Sequence, residues 1–524
     1  MPRKAIANSS SYQWFSSLIS LFCRKTDFLY IVRFTLRSSI LFIQETTLRK
    51  HIFLAVFGIF SAGASFAADT VTSPCRLPEF PQELRCGKVQ RPLNPAEPGG
   101  KKIDVHYVVL PSQDKNKLPD AVFLLAGGPG QSAISLASFG QAMFSRLNKR
   151  RDLVFVDQRG TGRSASLACP ELENSPDVAD DVQMQKQSDA CLARLKTLPH
   201  GDLRFYSTSI AVQDIEAVRK QQAYDRINLV GASYGTRVGL EFARQFPLSV
   251  KRMVLDGVVP PDMSLPAADA QAALDGVFQD CARQALCNAA YPALAQQWKS
   301  LTTRMPQTVS VTHPRLGTPL KFNMTHDVLL SLVHKTLYAP TTVAGLPYAL
   351  TQASQGNYQP LVTLSGATNL PGPAGINYGM HFSVWCSEIF ARPLAAPKDE
   401  FEKLMTDMYQ RTCKNWPRAS IPAEFFSIPA AQSPVMLLSG GIDPVTPIRH
   451  GAAVTKALGS QAVHITIENA GHGLLTQGCV RDVVYRFLNA KENTDALKVD
   501  SSCVRQIPRP LAWQALQAGK EVQP

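Results

Sequence analysis

The chain contains no Cys-x-x-Cys and no cysteine–histidine cluster at zinc-ligand spacing, which argues against a structural metal. No motif in it calls for a cofactor. It has no internal repeat and no low-complexity tract, so a solenoid, a propeller or a disordered tail is not its organising principle. No dense stripe of Lys and Arg follows residue 67. Eight of the 54 basic residues (Arg3, Lys4, Arg24, Lys25, Arg33, Arg37, Arg49, Lys50) crowd the N-terminus against only Asp27 and Glu45. The formal charge of +13 is therefore partly a local matter, and the rest reads as surface solubility with no nucleic-acid partner. Long apolar runs are missing too, and at 45% hydrophobic and 18% charged residues the composition is not that of a disordered, collagenous or multi-span membrane protein. A length of 524 residues allows a large buried core and more than one compact unit.

What is present begins with an export signal. Arg49-Lys50-His51 forms a basic start, Ile52 to Phe60 a short apolar core, and Ser65-Phe66-Ala67 the small residues a signal peptidase reads, which makes Ala68 the first mature residue. The apolar core is too short to span a bilayer, which needs roughly 20 residues. A signal beginning near Leu48 has a conventional length, so residues 1–47 read as an extension upstream of the true start. The rival reading is a genuine long leader or membrane anchor around Phe28 to Ile43, a stretch that Arg33 and Arg37 interrupt. Cys23 falls in this leader. The other ten cysteines (Cys75, Cys86, Cys169, Cys191, Cys281, Cys287, Cys386, Cys413, Cys479 and Cys503) are even in number, which in an exported chain predicts disulfides. Their connectivity cannot be deduced, but they fall into five local pairs, and sequential pairing is the expectation. The mature chain is expected to be periplasmic or secreted, with no stable membrane anchor once the signal is cleaved.

Short apolar runs ending in glycine-rich turns predict buried parallel strands. Ala121 to Ala126 leads into Gly127-Gly128-Pro129-Gly130, Leu153 to Val156 into Asp157-Gln158-Arg159-Gly160, and Ile227 to Val230 into Gly231-Ala232-Ser233-Tyr234-Gly235. Arg252 to Leu255 ends at Asp256-Gly257. Helical patterns alternate with these runs: Ala211, Ile215 and Val218 share one face, and Val238, Phe242 and Phe246 another. Such alternation implies an α/β fold with a doubly wound, mostly parallel sheet. The rhythm stops near Pro260 and resumes at Pro434 to Leu438, which leads to Asp443, and at Val463 to Ile467, which leads to His472. The expected organisation is a leader and signal peptide over 1–67, a first core segment over 68–260, an inserted, mainly helical lid over 261–427, and a second core segment over 428–524.

Gly231-Ala232-Ser233-Tyr234-Gly235 fits G-x-S-x-G between a strand and a helix, a turn sharp enough to lift Ser233 Oγ above the sheet edge. The bland alternative is a glycine-rich turn with a surface serine. A serine hydroxyl needs a base, and in the order Ser, Asp, His the best histidine is His472, between Gly471 and Gly473 past the last strand. His464 lies inside the strand pattern and reads as packing. Asp443, after the preceding strand, is the expected acid that orients His472; Asp256, also at a strand end, is the competing acid. Attack on a carbonyl makes an oxyanion, for which backbone donors must already be in place. The N–H groups of Gly128 and of Tyr234 are the expected pair. Asp157 and Arg159 are expected to brace loops rather than react.

The motifs GGPGQS at 127–132, DQRGTGRS at 157–164, GASYG at 231–235, GGIDPVTP at 440–447 and GHG at 471–473 occur in one order. Together they resemble the proline iminopeptidase and tripeptidyl-aminopeptidase branch of the α/β-hydrolases over roughly residues 75–505. The resemblance departs at the first motif, where Ala126 precedes and Gln131-Ser132 follow, in place of the family's histidine and further glycines. It implies an α/β-hydrolase fold and a serine exopeptidase acting through an acyl-enzyme on peptides with a free N-terminus. Such an enzyme needs an acidic group for the substrate ammonium. Trp385-Cys386-Ser387-Glu388 resembles a lid motif of this branch, so Glu388 is the implied anchor, against a solvated surface glutamate as the bland reading and with Asp and Glu elsewhere in the lid as alternatives. An esterase or lipase with the same three residues, and a catalytically silent binding protein on the same fold, are the rival classes, because fold and triad do not decide the substrate.

Overall fold

Strands whose side chains are buried on both faces assemble the centre of the molecule. The computed structural model describes residues 71–514 except 79, 174–180, 264–268, 315 and 367–374; the leader and signal peptide expected over 1–67 lie outside the described residues. One mixed sheet has nine strands in the order β1-β2-β3-β5-β4-β6-β7-β10-β11. These are β1 (Thr72–Cys75), β2 (Leu84–Pro92), β3 (Lys102–Leu110), β4 (Ala121–Leu125), β5 (Leu153–Val156), β6 (Ile227–Ala232), β7 (Val250–Asp256), β10 (Val435–Gly440) and β11 (Ala462–Ile467). Strands β8 (Gln307–Thr312) and β9 (Pro319–Met324) form a separate antiparallel hairpin. β1 to β3 join the sheet antiparallel, and β3 pairs antiparallel with β5. From β5 to β11 every pairing is parallel.

Two consequences position the site. Parallel strands end on the same edge, so the turns after β4, β5, β6, β7, β10 and β11 gather there. The chain also goes from β4 to β5 on one side and then to β6 on the other side of β4. The loops after β4 and β6 therefore part at a topological switch point, where open α/β sheets hold ligands.

Helices cover both faces of the sheet. The helices Thr208–Gln221 and Tyr234–Gln245 bury Val212, Ile215, Val238 and Phe242 against Phe123, Leu125 and Leu229. On the opposite face, Ala137–Asn148 and Val480–Asn489 bury Phe144, Val483 and Phe487 against Phe155, Met436 and Ile465.

Between β7 and β10 the chain forms an insert of helices plus the β8–β9 hairpin, and the insert has two parts. Its first part, including the helices Ala270–Arg283, His326–Thr336 and Pro340–Ser354, has its own core of residues such as Leu274, Leu329, Leu332 and Leu350. Its second part is built differently. The helices Tyr378–Glu388 and Glu400–Cys413 send Met380, Phe382, Trp385 and Tyr409 into the main core beneath the sheet.

Five disulfides join the ten cysteines in sequential order: Cys75–Cys86, Cys169–Cys191, Cys281–Cys287, Cys386–Cys413 and Cys479–Cys503. Each is expected to contribute about 2–4 kcal/mol by restricting the unfolded chain. Protein spanning residues 68–524 and denatured without reductant should therefore show no titratable thiol, and reductant should lower its melting temperature. Ten reactive thiols in protein from its native compartment would overturn this.

Candidate active site

Ser233 sits where β6 turns into the Tyr234–Gln245 helix, with φ 54° and ψ −124°. Positive φ is costly for a residue with a side chain, about 1–3 kcal/mol, and it persists because the surroundings leave the turn no other path. A Cβ on Gly231 would overlap the carbonyl oxygen of Gly235, and one on Gly235 would overlap that of Leu125. Glycine at both positions is what lets the chain reverse there and project the serine. The Ser233 N–H donates to Asp256 O at 2.8 Å, which ties the turn to the end of β7.

His472 lies beside the same strand end. A Cβ on Gly257 would lie 3.1 Å from His472 Cε1. The histidine N–H donates to Tyr338 O at 2.8 Å, and the Tyr338 ring meets the imidazole edge-on, centroids 5.4 Å apart. His472 Nδ1 is 2.9 Å from Asp443 Oδ2. Asp443 is itself fixed: its Oδ1 accepts from the N–H groups of Val445 and Thr446, each at 2.8 Å, and its Oδ2 from Thr446 Oγ1 at 2.6 Å. Because a carboxylate oxygen accepts, Nδ1 carries the proton and Nε2 keeps a lone pair. Burial opposes charge on both partners. It is outweighed in each case by the partner's charge and hydrogen bond, so the Asp443 carboxyl is pulled down to about 2 and the His472 pKa is lifted above 6.5.

The competing acid has other employment. Asp256 is buried, and its two oxygens accept from Leu474 N at 2.9 Å and Leu475 N at 3.0 Å. It fastens the turn just after His472 and adds a negative charge behind the imidazole, but it does not hold the ring. His464 half-buries itself in β11 with Nε2 2.9 Å from Ser439 Oγ.

The glycine–proline loop after β4 abuts the serine: a Cβ on Gly127 would be 3.4 Å from Ser233 Cβ. Gly128 and Gly130 have φ of 108° and 103°, open to glycine and strained for other residues. The Tyr234 N–H is the first of its helix, where the intrahelical ladder offers no acceptor. Behind this loop, Asp157 accepts from Ser132 Oγ at 2.6 Å, Ile134 N at 3.1 Å and Arg163 N at 3.2 Å. Fully buried Arg159 pairs with Asp214 through Nε at 2.7 Å and Nη2 at 2.9 Å, and donates to the carbonyls of Leu93 and Phe205. Both brace loops.

Glu388 requires a correction. As the implied ammonium anchor it should face the opening, yet it is 0% exposed. Its Oε1 accepts from Thr208 N at 2.8 Å and its Oε2 lies 3.3 Å from Arg237 Nη1. Glu388 ends a helix that packs into the main core, so its carboxylate turns inward to Arg237 instead of out to a substrate. Burial raises its pKa, against the pull of Arg237. Thr208 Oγ1 also shares a hydrogen bond with Tyr234 OH, 2.8 Å, so this buried pair braces the residue after Ser233. Sequence reasoning missed Thr446 and Tyr338. Thr446 stands within the GGIDPVTP motif and was open to detection, whereas Tyr338, which meets His472 through its carbonyl and its ring, lies in the insert outside every motif.

The profile of the alpha/beta hydrolase fold family matches residues 120–478. A protein named serine protease Hip1 from Mycobacterium tuberculosis is 24% identical over 469 residues, covering 79% of this chain and 88% of that one. A tripeptidyl aminopeptidase from Streptomyces lividans is 28% identical over 201 residues, 35% of this chain and 36% of that one. A protein named carboxylesterase B from Mycobacterium tuberculosis is 24% identical over 447 residues, 77% of this chain and 84% of that one.

Proposed function

The chain belongs to the α/β-hydrolase fold family, and from that premise we propose that it is a serine peptidase that cleaves peptides near a free N-terminus through an acyl-enzyme. The observation that carries the reading is the Asp443–His472 contact beside Ser233 on its strained turn. In the proposed reaction His472 Nε2 takes the Ser233 proton as Oγ attacks the scissile carbonyl. Asp443 keeps the imidazole in the tautomer that leaves Nε2 bare and stabilises the imidazolium that follows. The Gly128 and Tyr234 N–H groups take the oxyanion. His472 then protonates the departing amine, and water, activated by the same nitrogen, releases the acyl group.

Peptide substrates are supported by the relative named as a serine protease, which is matched over most of both chains; the free N-terminus is supported by the motif resemblance and by the relative named as a tripeptidyl aminopeptidase. An esterase with the same residues is the second reading, favoured by the relative named carboxylesterase B. The disulfides suit an oxidising compartment, and no helix among the described residues is long and apolar enough to cross a membrane.

The pH dependence of kcat/KM separates the two readings. The base works only when neutral, so activity on any substrate should fall as pH drops through the His472 pKa, a limb lying above 6.5. A peptidase that holds an ammonium should also lose activity as pH rises through the substrate α-amino pKa, about 7.7–8.0, whereas a p-nitrophenyl ester should not show this second limb. N-acetylated peptides should be poor substrates. Equal rates on acetylated and free peptides would remove the aminopeptidase reading and leave the esterase.

A further inference from the structure

Two glycines give the loop after β4 backbone freedom, and freedom is a liability where donors must be pre-aimed. The loop's carbonyls are held from outside by one segment, the start of the Tyr378–Glu388 helix. Gly130 O accepts from Asn377 N at 2.9 Å and from Asn377 Nδ2 at 3.0 Å. Gln131 and Ile376 form an isolated antiparallel bridge. His381 Nδ1 lies 3.0 Å from Pro129 O, and its Nε2 lies 2.8 Å from Tyr409 OH.

The protonation of His381 follows from its partners. A carbonyl only accepts, so Nδ1 carries the proton. Burial drives the ring pKa down to about 4, so at neutral pH the ring is uncharged and Nε2 must accept from the Tyr409 hydroxyl. Every hydrogen-bonding valence of the ring is therefore used, and its orientation is set. Its neighbours are aromatic: Tyr378, Phe382, Trp385 and Tyr409 all lie within 6 Å between ring centroids. Packing alone would be served better there by phenylalanine, because burying a polar ring costs free energy unless its hydrogen bonds return it. The mounting is rigid, since both helices contribute to the main core and Cys386–Cys413 joins them.

We propose that His381 is a positioning residue for catalysis, whose Nδ1–H fixes the Pro129 carbonyl and thereby keeps the glycine–proline loop, with the Gly128 N–H, in its oxyanion-binding shape. This rests on the serine-hydrolase reading above. The second part of the insert then completes the catalytic site.

The test compares His381→Phe, which keeps a ring and loses both hydrogen bonds, with His381→Asn, whose side-chain amide can restore a donor near the Nδ1 position. Turnover of a p-nitrophenyl ester and of a peptide is measured beside the melting temperature. Removing an oxyanion donor outright costs about 10²–10³-fold in kcat. Loosening its support should cost less, so His381→Phe is expected to lower kcat by roughly 10- to 100-fold on both substrates with KM changed less than about 3-fold, and His381→Asn to recover most of the loss. Unchanged kcat in a folded His381→Phe protein, a loss confined to KM, or no rescue by asparagine in an equally stable protein would each overturn the proposal. Should the phenylalanine variant not fold, Tyr409→Phe deletes only the oxygen that orients the ring. A fall in kcat of about 3- to 10-fold at constant KM supports the proposal, and no change overturns it. A wild type without Ser233-dependent turnover would sink the hydrolase reading itself, whereas an active wild type with an indifferent His381 sinks only this inference.

Discussion

Ser233→Ala and His472→Ala are each expected to lower turnover by about 10⁴-fold or more while leaving the fold intact, the loss typical of residues that act as one unit. The two losses should not add, because once either partner is gone the other has nothing to activate. Asp443→Asn should cost about 10⁴-fold as well, by the same logic in reverse: an amide can present N–H to Nδ1 and so favour the tautomer that protonates Nε2. Asp256→Asn makes the sharp control. Its carboxylate receives the Leu474 and Leu475 N–H groups, so its loss should slacken the turn carrying His472 and cost less than loss of Asp443. The measurement is kcat/KM on one ester and one peptide for all four variants, with the melting temperature of each. A nearly silent Asp443→Asn beside a crippled Asp256→Asn would exchange the roles of the two acids.

Glu388→Gln should act on stability before it acts on specificity. The substitution keeps the acceptor for Thr208 N but removes the charge facing Arg237. That guanidinium is itself almost wholly buried, with Nη2 donating to Pro260 O at 2.9 Å and Nε without a partner. Breaking a buried ion pair from one side costs about 3–5 kcal/mol, because an uncompensated charge is left inside. The unfolding midpoint should therefore fall, and rates on esters and on free-amine peptides should fall together if at all. Glu388→Gln combined with Arg237→Met, which removes both charges, should regain most of the stability. A folded Glu388→Gln protein that loses only its preference for free amines would return this carboxylate to the substrate and refute the structural role.

Glu388 also marks where sequence reading reached its limit. Six strands ending on one sheet edge were legible. β4, β5, β6, β7 and β10 are buried on both faces and read as apolar runs that give way to a glycine or an aspartate within two residues, whereas β11 is the alternating run Val463-His464-Ile465-Thr466-Ile467 before Glu468. Their order set the candidate residues in their turns, and the contact of Asp443 with His472 follows that order. The antiparallel strands β1 to β3 were not legible. β2 reads Leu-Arg-Cys-Gly-Lys-Val-Gln-Arg-Pro and is half-exposed along its length, so its alternation is blurred by charge. The β8–β9 hairpin escaped for another reason: its strands alternate, but each is six residues long, exposed at every second residue and carries only two or three apolar side chains on its inward face. Inside the insert, a residue type says little about direction. Glu388 and His381 lie seven positions apart on one helix, and only the packing of that helix into the main core turns one toward Arg237 and the other toward Pro129.

The order of the five crosslinks bears on how the chain is made. Each cysteine pairs with its immediate neighbour among the ten, across separations of 6 to 27 residues. Consider the chain entering an oxidising space from its N-terminus, with oxidation keeping pace. When the second cysteine of any pair emerges, every earlier thiol is already closed and its proper partner is the one still open. Short loops also close at the lowest entropic cost. Biogenesis in that direction needs no reshuffling of wrong bonds, whereas refolding from denaturant sets all ten thiols in competition at once. Sequential crosslinks can thus close one pair at a time while the rest of the chain is still extended, an order of events that the finished fold no longer displays.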